Sequence, residues 1–228
     1  MKIIDAHTHI DYITSNFQPY VVGCVCCATN ESDWKKIIDL CDKDNRVCGA
    51  FGLHPWFVDC CDNMVGARLE HLLNMNHDYM VGEIGLDKYK PNMDKQLDIF
   101  IMQLNTAIKL KRTVFLHCVG AWDKILHILK QYKKSELPII VAHDFNGNQN
   151  IIEQLLQYEN IYFSFSKNVI RAENCRIEQI PSNRILIESD GKQDISLVDV
   201  INEIAKIKNE PGIDEFIYNN TKRILRNE

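Results

Sequence analysis

Eight short runs rich in Val, Ile, Leu and Phe recur along this chain, and polar or amphipathic stretches separate them. They cover residues 3–9, 21–28, 47–53, 79–86, 113–117, 138–143, 161–165 and 184–188. Near-continuous apolarity within a run means burial on both faces, the situation of a strand in a parallel sheet covered by helices. Helical spacing between the runs predicts helices over residues 33–41, 94–111, 122–132, 151–158 and 197–208. The first follows a capping-type Asn30-Glu31-Ser32, and the longest carries Leu97, Phe100, Ile101, Leu104 and Ile108 on one face. Eight strand units in 228 residues, without a linker, low-complexity tract or repeat, predict a single-domain (β/α)8 barrel over residues 1–228. An open doubly wound sheet uses fewer strands and often has a glycine-rich phosphate loop after the first, where this chain has His7-Thr8-His9.

Five of the runs end on residues that bind metals: His7 and His9, Glu83, His117, His143 and Asp190. Active sites of (β/α)8 barrels lie at the carboxyl ends of the strands, so the fold itself would bring these six residues to one rim. Residues two apart in a strand point to the same side, which lets His7 and His9 grip one ion while Thr8 points away. Glu83 has two oxygens and can bridge two cations, His117 and His143 would complete the shell of the second, and Asp190 would serve the first ion and a nucleophilic water. His71, His77 and His127 fall in polar or amphipathic helical surroundings and are read as solvated surface.

A net charge of −5 and a pI near 5.9 argue against a protein that coats nucleic acid through a broad basic face. They leave room for a metal-dependent enzyme acting on phosphodiesters, because bound cations offset charge locally. Nine cysteines, odd in number and mostly in strand-like runs, are read as reduced thiols. Cys24, Cys26 and Cys27 are taken as small buried hydrophobes and Cys60-Cys61 as a loop pair. No apolar stretch reaches the length of a membrane span and no signal-peptide pattern opens the chain, which gives a cytoplasmic expectation.

The runs Asp5-Ala6-His7-Thr8-His9, Gly52-Leu53-His54-Pro55-Trp56, Gly82-Glu83-Ile84-Gly85-Leu86-Asp87, Phe115-Leu116-His117, Ala142-His143-Asp144-Phe145-Asn146-Gly147 and Glu188-Ser189-Asp190 resemble the successive signatures of the TatD family of metal-dependent hydrolases and deoxyribonucleases. The resemblance covers nearly the whole chain, and Gly-Glu-Ile-Gly-Leu-Asp is its most specific element. It implies an amidohydrolase-type TIM barrel, two divalent ions (magnesium, manganese or zinc) and phosphodiester hydrolysis, often from DNA ends, with single-stranded DNA as the expected substrate. By motif position His7, His9 and Asp190 would serve one ion, Glu83 would bridge, His117 and His143 would serve the other, and His54 would face the phosphate. Asp190 and Glu83 would then be the catalytic carboxylates.

Two departures bear on the substrate side. Cys118 and Val119 follow His117 where the family commonly has a small hydroxyl residue and an arginine, and the loop after Asp190 is short, running Gly191-Lys192-Gln193-Asp194. Lys88, Lys90, Lys167, Arg171 and Lys192 follow predicted strands and could meet phosphates, Lys192 foremost. Trp56 could stack on a base or pack its loop. Two other readings stay open: an enzyme of this barrel type cleaving a C–N or ester bond in a small molecule, and a metal-binding subunit without catalysis.

Overall fold

All eight apolar runs are strands, and each pairs in parallel with the next in sequence order: β1 (Ile3–Thr8), β2 (Val21–Cys27), β3 (Val47–Phe51), β4 (Met80–Asp87), β5 (Val114–Val119), β6 (Ile140–Ala142), β7 (Ile161–Phe165) and β8 (Ile185–Ile187). The structure, a computed structural model, describes residues 1–13, 18, 20–170, 177–192, 194 and 196–227. Arg171 lies outside them.

The helices are α1 (Ile10–Ile13), α2 (Glu31–Lys43), α3 (Val65–Met75), α4 (Met93–Leu110), α5 (Trp122–Leu129), α6 (Gln149–Leu155), α7 (Leu197–Lys208) and α8 (Ile213–Arg226). Asn30 caps α2 with its side chain while Asp33 answers the Asn30 backbone N–H, so the predicted start is a reciprocal capping box. α3 and α8 go beyond the helices that spacing predicts. α3 opens at Met64 with no side-chain cap and buries Val65, Leu69 and Leu73, while polar Asn220 and Thr221 interrupt the buried stripe of α8. No helix among the described residues is long and apolar enough to cross a membrane.

The core has two compartments. The larger, between sheet and helices, includes Phe51, Phe100, Leu104, Phe163 and Phe165. Each such side chain contributes about 1.5–3 kcal/mol by leaving water. The smaller draws from every strand: Ala6, Val25 and Cys27, Ala50, Met80, Phe115, Val141, Tyr162 and Leu186. It plugs the barrel interior and gives the site a dry floor. Cys24, Cys26 and Cys27 are buried free thiols, matching the reading of small hydrophobes.

No ladder joins β8 to β1 among the described residues; side-chain hydrogen bonds and a main-chain bond just past β8 close that seam. Asp5 Oδ1 accepts the backbone N–H of Ser189 at 2.9 Å and that of His7 at 3.3 Å. The Ser189 hydroxyl donates to Thr8 Oγ1 at 3.0 Å, and the Asp190 N–H donates to the His7 carbonyl at 3.0 Å. Burial pushes the Asp5 carboxyl up to about 7, the nearby Glu188 adding to the shift while the Ser189 and His7 hydrogen bonds oppose it. An acid with a higher pKa folded than unfolded holds its proton more tightly when folded. Its contribution is therefore present at low pH and lost as pH rises from about 4 to about 7. Asparagine keeps the Oδ1 acceptor and cannot ionise. Thermal denaturation of the metal-free protein should therefore show Asp5→Asn gaining up to about 4 kcal/mol on the wild type between about pH 4 and about pH 8. Parallel profiles would mean that Asp5 does not titrate in that window.

Candidate metal centre

Strand periodicity places two residues of the cluster and one that supports them. Phe115, Val141 and Leu186 face the barrel interior, so His117, His143 and Glu188, two residues further along β5, β6 and β8, face it as well at the rim. β1 and β4 use another device. Their ladders break register between Asp5 and Thr8 and between Val81 and Ile84, and those breaks fall at His7 and Glu83. Such irregularities re-aim side chains. Gly85 follows on β4 with φ +151°, where a Cβ would lie 1.8 Å from the His117 carbonyl oxygen. That approach requires the second glycine of the Gly-Glu-Ile-Gly run.

The structure brings His7, His9, Glu83, His117, His143 and Asp190 into one cluster, within two donor groups that share Glu83. Glu83 Oε2 lies 3.4 Å from His7 Nε2 and 3.6 Å from His9 Nε2. These two nitrogens are 3.4 Å apart and lie 3.8 and 3.5 Å from Asp190 Oδ1. Glu83 Oε1 lies 2.9 Å from His117 Nδ1, 2.7 Å from His143 Nε2 and 3.3 Å from His54 Nε2. Glu83 is 2% exposed and His7 0%.

Surrounding partners set which nitrogen carries a lone pair. His9 Nδ1 meets the Cys27 carbonyl at 3.0 Å, so it donates there and leaves Nε2 bare. His143 Nδ1 meets Glu188 Oε1 at 3.2 Å, and the same oxygen accepts the Asp144 N–H at 2.7 Å. A carboxylate behind a ring nitrogen in this way turns the other nitrogen toward the site. His54 is the reverse case. Its Nδ1 accepts the Trp56 backbone N–H at 3.1 Å, so Nε2 bears the hydrogen and is a donor facing Glu83.

Burial alone would raise the Glu83 pKa, but the rings of His143, His54 and His7 and the His117 hydrogen bond hold it well below the usual carboxylate range. Burial would likewise lower His143, yet Glu83 and Glu188 raise it well above the ordinary imidazole value. His9 is raised because Asp190 and Glu83 outweigh its burial, whereas burial and the neighbouring His143 cation lower His7. Asp190 lies below its ordinary value, since His9, His7, His143 and Lys192 together overcome its burial.

Lys192 lies at the mouth with its ammonium 2.6 Å from Asp190 Oδ2. Lys167 pairs with Asp194 at 2.5 Å, and Lys88 is exposed. His71 and His127 are exposed as expected; His77 is exposed too, but its ring nitrogen lies 2.9 Å from the Arg112 guanidinium.

The sequence profile described as TatD related DNase matches residues 4–226. The chain belongs to the TatD-related DNase family. Among its relatives, the human 3'-5' RNA nuclease TATDN2 is 26% identical over 91% of this chain, which spans about a third (33%) of that protein's length. The 3'-5' ssDNA/RNA exonuclease TatD of Pectobacterium atrosepticum is 27% identical over 75% of this chain and 68% of its own. The crystal structure of YJJV, a TatD homolog from Escherichia coli k12, superposes with a TM-score of 0.84, covering 97% of each chain at 23% identity. That likeness bears on the barrel fold alone.

A TatD-family member implies a divalent metal, and the donors fit one. The His7 and His9 ring nitrogens lie 3.4 Å from each other and 3.4–3.8 Å from the Glu83 and Asp190 oxygens, close to the ~3.4 Å edge of a tetrahedron of ligands ~2.1 Å from a common centre. His7 Nδ1 and one oxygen each of Asp5 and Glu188 are buried without a hydrogen-bond partner behind the cluster.

Sequence reasoning missed several supporting residues. Glu188 was visible as part of a motif but not as the partner of His143. Asp5 was visible only as the start of another. Gln103 of α4 holds both backbone groups of Leu53, accepting its N–H at 2.7 Å and donating to its carbonyl at 3.1 Å. Gln96, two turns earlier, accepts the Asp87 N–H at 2.9 Å and donates to the Pro91 carbonyl at 2.9 Å. A polar residue repeating at i and i+7 within the apolar face of a helix was the available signal.

Two outcomes follow for metal binding. Glu83 and Glu188 make His143 hold a proton more strongly than an ordinary imidazole, so an incoming cation competes with a proton there. Calorimetry in buffers of different ionisation enthalpy should give at least about one proton released per chain near pH 7, with affinity rising with pH. Glu188→Gln should weaken manganese or zinc binding about 10- to 100-fold by the same method, while the variant stays folded. Unchanged affinity would leave Glu188 a purely structural role.

Proposed function

We propose that this chain is a divalent-metal-dependent phosphodiesterase with a two-ion centre, and that it removes nucleotides from the 3' end of single-stranded DNA or RNA. The observation that carries the reading is Glu83, whose two oxygens face separate donor groups as a shared carboxylate in a two-ion hydrolytic site must. The named activities of the human and Pectobacterium relatives support the substrate class and the polarity.

In this reading His7, His9, Asp190 and Glu83 would hold one ion, and His117, His143 and the same Glu83 would hold the other. Bound divalent ions supply acidification of a water and neutralisation of charge growing on the phosphoryl oxygens. Asp190 orients that water and takes its proton. Its backbone, at φ +52° and tied to the His7 carbonyl, aims Oδ1 at the first donor group. Lys192 holds Oδ2, keeping the carboxylate ionised and placing a positive charge at the mouth. His54 offers its Nε2–H to a phosphoryl oxygen, and its tautomer is fixed by the Trp56 N–H. A cavity of about 310 Å³ lies over the cluster, at the small end of ligand sites and suited to one nucleotide at a time.

Metal-stripped protein resupplied separately with magnesium, manganese or zinc should shorten 5'-labelled single-stranded DNA or RNA stepwise from the 3' end. Asp190→Asn should lower kcat by about 10²- to 10⁴-fold, as loss of a proton acceptor does. Stoichiometric metal binding without cleavage of any strand would overturn the proposal and favour a small-molecule substrate.

A further inference from the structure

The cavity over the donor cluster has two kinds of wall. Its apolar lining comes from Trp56 and Phe57 after β3 and from Cys118 and Val119 on β5, on either side of β4, which contributes Glu83. Polar residues occupy the rest, including Asp144 after β6, Asp190 after β8 and Thr29 after β2. The amphipathic shape of a nucleotide has the same division, an apolar base face beside a charged phosphate and a polar sugar.

Trp56 stands out in the apolar lining. Trp34 and Trp122 are each 7% exposed, whereas Trp56 is 53% exposed. Even so it is fixed in place. Its indole N–H donates to Asp87 Oδ2 at 2.7 Å, and the Asp87 carboxylate is anchored by the Tyr89 N–H at 2.9 Å. The ring meets His54 edge-on at 5.2 Å, and the Lys90 ammonium sits 4.0 Å from a ring centroid. A tryptophan that served only to pack its loop would bury this face; here the structure spends a buried carboxylate on orienting an indole toward solvent at the rim of the cavity.

Groups that could read base edges on this side are few, and each already holds at least one hydrogen bond. The Trp56 N–H is used by Asp87, and the Asn146 amide accepts from Trp122 Nε1 at 3.1 Å and donates to the Cys118 carbonyl at 3.4 Å. What remains is an aromatic face, Phe57 and the Val119 side chain.

We propose that Trp56 is a stacking platform for the base of the nucleotide whose phosphate lies at the donor cluster, and that this wall accepts any base. The proposal rests on the phosphodiesterase reading above and names how that substrate is held. Lys90, whose ammonium lies over the ring, would exchange that contact for a flanking phosphate as the base stacks, and it supplies local positive charge that the chain lacks overall.

Three measurements decide it. Trp56→Ala should raise KM for a single-stranded oligonucleotide about 10- to 100-fold, the loss expected for one base–aromatic stack, with the effect in KM rather than kcat and with Trp56→Phe restoring most of it. A strand ending in an abasic residue should show a similarly raised KM with the wild type, and Trp56→Ala should cause no further loss. Among the four terminal bases kcat/KM should vary by less than about 10-fold, because stacking is tolerant of sequence. Independently of catalysis, a short oligothymidylate added to metal-free protein should quench tryptophan fluorescence in the wild type and not in Trp56→Phe. Should the wild type cleave no strand, the fluorescence arm alone decides: quenching retains the platform while the hydrolytic reading fails, and its absence overturns the platform. Equal KM values for Trp56→Ala and wild type, or for abasic and base-bearing ends, would also overturn it.

Discussion

A carboxylate buried among imidazoles is the constraint around which this molecule is arranged. Removed from water, Glu83 would cost several kcal/mol as an isolated charge. The rings of His7, His54, His117 and His143 surround it instead, and they come from four different strand ends or the loops beyond them. Barrel curvature is what lets residues so far apart in sequence share one anion. Each ring needs its own orientation, so the Cys27 carbonyl, the Trp56 N–H and the Glu188 carboxylate each hold one nitrogen. The outer partners decide whether a ring offers a lone pair or a hydrogen, and so separate His9 and His143 from His54.

Floor and walls are held by different means. The floor is strand backbone over a dry interior plug and leaves little freedom. The β3 and β4 exits are loops, and both are pegged to α4: Gln103 clasps Leu53 just before His54, and Gln96 clasps Asp87 and Pro91 around Lys90. Trp56 is tied to Asp87, so these two loops and the helix form one unit. The cavity wall around Trp56 is thereby pre-organised without drawing on any residue of the donor cluster.

How far the sequence could be read follows from the same division. Runs apolar on both faces have few alternatives to parallel strands, and all eight were visible to within a few residues. His7, His9, Glu83, His117, His143 and Asp190 could be picked out because ligand-type residues stood where such strands end. The hidden residues were those whose chemistry is ordinary by type: Asp5 and Glu188 read as motif flanks, and Gln96 and Gln103 read as the polar complement of an amphipathic helix. Only contact between distant elements reveals their partners. Lys192 was visible as a cation near the site, but its bond to Asp190 Oδ2 depends on the turn at Gly191, φ +68°, which no periodicity encodes. α3 and α8 escaped because an uncapped start and a buried Asn220 blurred their stripes.

The seam between β1 and β8 places a condition on how the molecule is made. Ser189 reaches Asp5 across 184 residues of chain, and the Asp190 N–H reaches the His7 carbonyl in the same zone. Contacts this distant in sequence carry a large loop-closure entropy and form only when most of the intervening chain is ordered. The first donor group needs both sides of that seam, His7 and His9 from one and Asp190 from the other. A ribosome-bound chain still lacking β8 has only one side of that donor group, so the group is complete only after the last strand has docked.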